Sequence, residues 1–334
     1  MVELRRRDGR LEGMDDRIQS ALNGIAIGDA LAMPVHWYYD RAALVRDYGH
    51  VADFVKPKNP HPDSIFWRSS WDAPRPELDI LGDQRPFWGV KGVHYHQNLK
   101  AGEATLTGKL AALTWESLDA CGGYNAGDYL ERYIDLLTNP ERHRDTYLEE
   151  CHRGFFTNLG RGKKPNRCAV NEKHIGGLVP MLAVALYYAE DEDAGRKFAK
   201  EHLALTHGGM EMQQAADALL SILYPVLSGA SLEESILDQV ASQRNPLYGF
   251  PYRKWLGDDD SKVIGPRLST ACYVDGAVPA VVYLALKYSE RSEESLIANT
   301  NLGGDNVHRG GALGCLLGAA NVRWPDRWLS GLAK

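Results

Sequence analysis

Apolar residues return at every third or fourth position along most of this chain, and the elements they predict are helices. Over MDDRIQSALNGIAIGDALAM, from Met14 to Met33, Ile18, Leu22, Ile25 and Leu31 recur at helical spacing behind an Asp-rich first turn. The same stretch carries Gly24, Gly28 and Ala32 every fourth residue. Such a series lowers helix propensity but lets a neighbouring backbone come close. Near the other end, RGGALGCLLGAANV repeats the device with Gly310, Gly314 and Gly318. Two smooth faces of this kind predict that the first and last helices pack together and bring distant residues into one site.

Between them, KLAALTWESLDACG, NAGDYLERYIDLLTNP, HIGGLVPMLAVALYYA, AGRKFAKEHLALTHG, MEMQQAADALLSILYPVLSG and SLEESILDQVASQ continue the helical period. VPAVVYLALKYS is rich in valine, but its length and its Ala and Leu content favour a buried helix. Hairpin-type strand signals are missing. The expected fold class is all-α, with roughly a dozen helices in one domain over 14–330 behind a charged tail, 1–13. From Pro57 to Gly92 the period stops, and prolines alternate with Phe66, Trp67, Trp71, Phe87 and Trp88. A long irregular segment rich in aromatics is read as an ordered loop, a lid over a pocket; a plain surface brace is the alternative.

Composition narrows the function. At 334 residues and 44% apolar the chain can build one sizeable core, and its net charge of −6 gives no footprint for nucleic acid. The partner expected is a small molecule or a protein. No run reaches membrane-spanning length, and the charged N-terminus lacks the apolar stretch of a secretory signal. Five scattered cysteines without a CxxC pair read as reduced thiols of a cytoplasmic protein.

Three polar clusters could carry chemistry. In GDALAMPVHWYYD, Asp29 lies near the C-terminal end of the glycine-faced helix, where a carboxylate opposes the helix dipole, and His36 follows the turn set by Pro34. Capping of a neighbouring helix is the competing role for Asp29. HYHQNLKAGEATLTGKL offers His94, His96, Glu103, Thr105 and Thr107. Its His-x-His pair favours hydrogen-bonding rings over a metal site, because no third ligand is fixed by spacing. In NTNLGGDNVHRGGALG, Gly303 and Gly304 free the backbone before Asp305, Asn306 and His308, where a helix start could bind an anion or Asp305 could be an ordinary N-cap.

These strings, in this order, resemble the ADP-ribosylglycohydrolase family (dinitrogenase-reductase-activating glycohydrolase-like). IAIGDALAMPVHW is similar to its opening helix and NTNLGGDNVHRGGALGCLLGAANV to its closing glycine-rich motif. GEATLTGKLAALTWESL, LALTHGG and YVDGAVPAVVYLAL fall in order between them, from about Arg17 to Val322. The resemblance implies an orthogonal helical bundle, an ADP-ribose-like ligand, and hydrolysis of an N- or O-glycosidic bond with two magnesium ions. The magnesium ligands do not carry over. Thr105, Leu106, Thr107 and Gly108 stand where the family has Thr-Asp-Asp-Thr. Val307 and His308 replace a carboxylate and a hydroxyl after Asp305, and His36 falls where some members have glutamate. Magnesium requires oxygen ligands, so no metal is expected at these positions.

Two main readings follow. In the first, His36, Asp305, His308 and Glu103 are catalytic in metal-independent acid–base hydrolysis of a nucleotide- or sugar-bearing substrate. Asp29, His94, His96, Thr105, Thr107, Gly303, Gly304 and Asn306 then bind that substrate. In the second, the chain is a catalytically inactive binding or structural relative that keeps the scaffold, for which Leu106 and Val307 speak. A transition metal on His36, His94, His96 and His308 is a third and weaker alternative.

Overall fold

Helix α1 (Met14–Ala32) begins behind Gly13 and runs to a 3-10 turn, Met33–Val35, that Pro34 initiates. The computed structural model describes residues 13–243, 247–321 and 323–333; the predicted tail lies outside them except for Gly13. The helices that follow are α2 (Arg41–Tyr48), α3 (Leu106–Cys121), α4 (Ala126–Thr138), α5 (Glu150–Gly160), α6 (Leu178–Tyr187), α7 (Glu192–Leu203) and α8 (Met210–Leu227). The last seven are α9 (Leu232–Ala241), α10 (Tyr252–Trp255), α11 (Asp260–Val263), α12 (Val274–Lys287), α13 (Ser292–Asn301), α14 (Asn306–Ala320) and α15 (Asp326–Gly331). Three isolated bridges are the only β pairing among the described residues, and the fold is all-α.

The two glycine-faced helices meet as their sequences predict. A Cβ on Gly28 would lie 2.0 Å from the Gly310 carbonyl oxygen, and one on Gly24 equally close to that of Gly314. On the other helix, a Cβ on Gly318 would lie 2.3 Å from the Ser20 oxygen. No side chain fits at such an approach, so these glycines let α1 and α14 run backbone to backbone. Around this pair, α6, α8 and α12 contribute Met181, Leu219, Leu223, Val281 and Leu284 to the main core. A second core joins α3, α4 and α5 through Leu110, Tyr133, Leu137, Phe155 and Phe156. It also takes Leu78, Ile80 and Leu81 from the segment between Pro57 and Gly92.

That segment holds no α-helix, only short 3-10 turns at Phe66–Arg68, Pro76–Leu78 and Gly82–Phe87. Its aromatics act as anchors. Phe66 is fully buried against Trp37, Val93 and Tyr95, Trp88 stacks on Tyr147 at 5.5 Å, and Trp71 donates to Thr157 Oγ1 at 3.1 Å. No helix among the described residues is long and apolar enough to cross a membrane.

Candidate active site

Close packing of α1 on α14 brings the turn after α1 beside the turn before α14. Gly303 and Gly304 both adopt positive φ, and a Cβ at Gly304 would fall 2.3 Å from Thr270 O. The turn they make exchanges hydrogen bonds with residues 37 and 38: Trp37 N donates to Gly304 O at 2.7 Å, and Gly304 N to Tyr38 O at 2.6 Å. Trp37 itself sits at φ 61°, the only positive φ of a non-glycine residue among those described. Such strain persists where surrounding contacts over-determine it, and sites of function are its usual location.

His36, Asp305 and His308 converge on this junction. His36 Nε2 lies 2.8 Å from Asp305 Oδ1, His308 Nδ1 forms an ion pair with the same oxygen at 2.8 Å, and the two rings are 5.0 Å apart. Asp305 does not cap α14 with its side chain, so the ordinary N-cap explanation does not hold for it. On the far side, His36 Nδ1 meets His96 Nε2 at 2.7 Å, and His96 Nδ1 contacts Asp145. Asp145 also accepts from the Leu106 amide at the start of α3. His308 Nε2 meets Thr107 Oγ1 at 3.0 Å and Glu149 Oε1 at 3.2 Å. An unbroken chain therefore runs Asp145, His96, His36, Asp305, His308, Glu149 through the interior.

Electrostatics divides the chain into charged and neutral members. Burial opposes charge on His308, but Asp305 and Glu149 outweigh it and raise its pKa well above the ordinary imidazole value. Burial alone would push the Asp305 and Glu149 carboxyls up; the neighbouring histidines reverse this and hold both below the usual carboxylate range. His36 goes the other way, since desolvation brings it down to about 3 despite its bond to Asp305. Hydrogen counting adds a constraint. Three contacts link Asp145, His96, His36 and Asp305, yet two neutral rings carry only two N–H groups. With both rings neutral, one of the three contacts lacks a shared proton, and switching tautomers moves that gap along the chain.

The remaining predicted residues fall into distinct places. Asp29 accepts from Thr105 N and Oγ1, both at 2.7 Å, and from Gly108 N at 3.1 Å, so it caps α3 in the manner of the competing role. His94 reaches Pro34 O at 2.9 Å and receives His96 N at 3.0 Å, bracing the turn that carries His36. Asn306 donates to Thr300 O at 2.8 Å and Val35 O at 3.3 Å. Thr105, Gly303 and Gly304 likewise shape backbone around the chain. Glu103 is not brought to the cluster: it pairs with Lys109 at 3.0 Å and Arg144 at 2.6 Å, beside a separate groove of about 330 Å³ that Leu22 and Ile25 help to line.

Asp145 and Glu149 went unpredicted. They stand in RDTYLEECH, a run rich in charged residues like a solvated loop, and no spacing betrays that they turn inward. Lining the small space at the cluster are His36, Trp37, His96, Thr107, Tyr147, Glu149 and His308, around a cavity of about 10 Å³. That is room for roughly one water. Trp37 stacks on His36 at 3.8 Å and meets Tyr147 edge-on, and Phe66 and Trp88 pack on Tyr147 from the 57–92 segment.

Comparison with known proteins agrees with this architecture. The chain is 24% identical over 323 residues to an uncharacterized protein of Archaeoglobus fulgidus, covering 96% of this chain and 92% of that one. Its fold is similar to that of a solved structure described as an ADP-ribosylglycohydrolase-related protein complex, with a TM-score of 0.63, 21% identity, and coverage of 97% and 94% of the two chains. Residues 10–334 match the ADP-ribosylglycohydrolase family model. The chain belongs to the ADP-ribosylglycohydrolase family.

Proposed function

We propose that the chain hydrolyses a glycosidic bond in a nucleotide- or sugar-bearing, ADP-ribose-like substrate, using buried imidazoles and carboxylates without the family's pair of magnesium ions. The observation that carries this reading is the chain of titratable groups from Asp145 to Glu149, centred on a His308 held between two carboxylates. Perturbed ionisable groups concentrated at one point of a fold mark a functional site more often than a structural one.

The residues at the family's metal positions do not fit magnesium. Leu106 belongs to the second apolar core, and Val307 packs with Ala32, Met33 and Leu99. Asp29 is engaged by α3, and one oxygen of Asp305 faces two imidazoles. Magnesium prefers a near-octahedral shell of oxygen. In its place, Asp305 and Glu149 can stabilise positive charge developing on a sugar, one of them taking the proton of an attacking water. His308 supplies a proton to the leaving group and regains it through the chain. Glu149 takes the role first assigned to Glu103.

With room for about one water, the cavity requires the site to open before a sugar can enter. Trp37 and Tyr147 line the cavity, and Phe66 and Trp88 of the 57–92 segment back Tyr147, the position from which that segment would act as a lid. The same closure favours the second reading, a silent scaffold whose old site has been filled by its own side chains. Incubation with N- and O-glycosides of ADP-ribose, followed by chromatography of released ADP-ribose, separates the two. Hydrolysis is expected for the native chain, reduced at least ~100-fold in His308→Gln, the lower range for loss of a general acid or base. No release from either class would favour the silent scaffold.

A further inference from the structure

Next to the histidine chain lies a second buried group that the proposed hydrolysis does not use. Cys151 is at the start of α5, Glu172 in the stretch leading to His174, and His207 in the turn after α7. One ligand atom from each, the Cys151 Sγ, a Glu172 oxygen and a His207 ring nitrogen, lie within 4.8 Å of one another. The residues are only 2%, 8% and 4% exposed.

The group carries unmet bonding and, unlike the His36, Asp305 and His308 group, a sulfur donor. Neither Glu172 oxygen nor His207 Nε2 makes a hydrogen bond. His174 Nδ1 comes within 2.6 Å of Glu172 Oε1 as an ion pair. His207 Nδ1 is engaged by Thr206 Oγ1 at 2.9 Å, which leaves Nε2 as the open position. Native interiors rarely leave so many buried polar atoms unmatched in one place. The His36, Asp305 and His308 group also leaves His308 Nδ1 and Asp305 Oδ2 without a hydrogen bond, but it offers no sulfur donor.

The donor types name the ligand. Thiolate, imidazole and carboxylate together suit zinc, whereas magnesium would not choose sulfur. Thiolate and carboxylate bring two negative charges to the ion's two positive ones, with His174 as a further partner of Glu172 at 2.6 Å. A cavity of about 20 Å³ beside Cys151 and His207, which Glu172 does not line, has room for about one water. We propose that Cys151, Glu172 and His207 bind a zinc ion. Bonds from zinc to sulfur, nitrogen and oxygen form as the ion sheds hydration waters, and the thiol S–H bond breaks with its proton released to solvent. The ion ties together three segments that share no regular element, and it sits beside Glu149, two residues from Cys151.

The test is metal analysis of the full chain, followed by replacement with cobalt(II), which absorbs in the near ultraviolet only when a thiolate is bound to it. The expected result is about one zinc per chain, as a site with three protein ligands predicts, and a cobalt–thiolate band. Both should be lost in Cys151→Ala and His207→Ala and kept in His36→Gln. Less than a tenth of an ion per chain would overturn the proposal. So would cobalt bound without the thiolate band, a reading on the native chain that stands even if the variants do not fold. Metal lost in His36→Gln but kept in Cys151→Ala would move the ion to the other cluster and equally overturn it.

Discussion

His308 illustrates how much a single side chain can be asked to hold. Its ring separates Asp305 from Glu149, both buried, and its charge is what keeps the two carboxylates ionised there. Removing it leaves two uncompensated charges, so His308→Ala should destabilise the fold by about 3–5 kcal/mol, the range for breaking a buried pair. His308→Gln, which keeps polar atoms at the site, should be milder. Chemical denaturation of both variants checks this; equal and small losses would mean that His308 is only a surface-like hydrogen bond. The sequence marked His36 by the turn at Pro34, His96 by its His-x-His pair, and Asp305 and His308 by the helix start after Gly303 and Gly304. Asp145 and Glu149 were not legible, because an acid in a charged run looks the same whether it faces water or a buried imidazole.

At the scale of elements, the site depends on how closely α1 and α14 approach. A Cβ on Gly314 would lie 2.0 Å from Gly24 O, and backbone cannot yield as a flexible side chain can. Gly314→Ala should therefore cost at least ~1–3 kcal/mol by overpacking, and should loosen the turns that carry His36 and Asp305. Gly257→Ala is the control, since nothing lies within 4 Å of a Cβ there. Thermal melting should separate the two variants; similar melting temperatures would contradict the account. This pairing was legible, since two four-residue glycine series have few other uses. Helices α2, α5 and α13 were not, because they are short and α2 and α5 carry charged residues that blur the apolar period. Missing α5 concealed Cys151, and with its approach Glu149, from any reading of the site.

The whole molecule carries its histidines mostly uncharged. Burial lowers His36, His61, His94, His143, His152, His202 and His207, four of them to about 3 or 4. In the unfolded chain these groups take up protons near pH 6.5, so below that value the unfolded state binds more protons and stability falls with pH. His174 and His308 are raised and have the opposite sign: their contribution is complete below pH 6.5 and fades only at higher pH. Seven groups against two predict a lower melting temperature at pH 5 than at pH 7, and a temperature unchanged or higher at pH 5 would contradict the assignment of neutral buried rings. The claim on which the rest depends is that this fold has exchanged its magnesium pair for an imidazole–carboxylate chain. Calorimetric titration of magnesium into the native chain and into Asp305→Asn tests it most directly. No saturable heat in either protein is the result expected here; saturable binding of magnesium to the native chain, lost in Asp305→Asn, would contradict it.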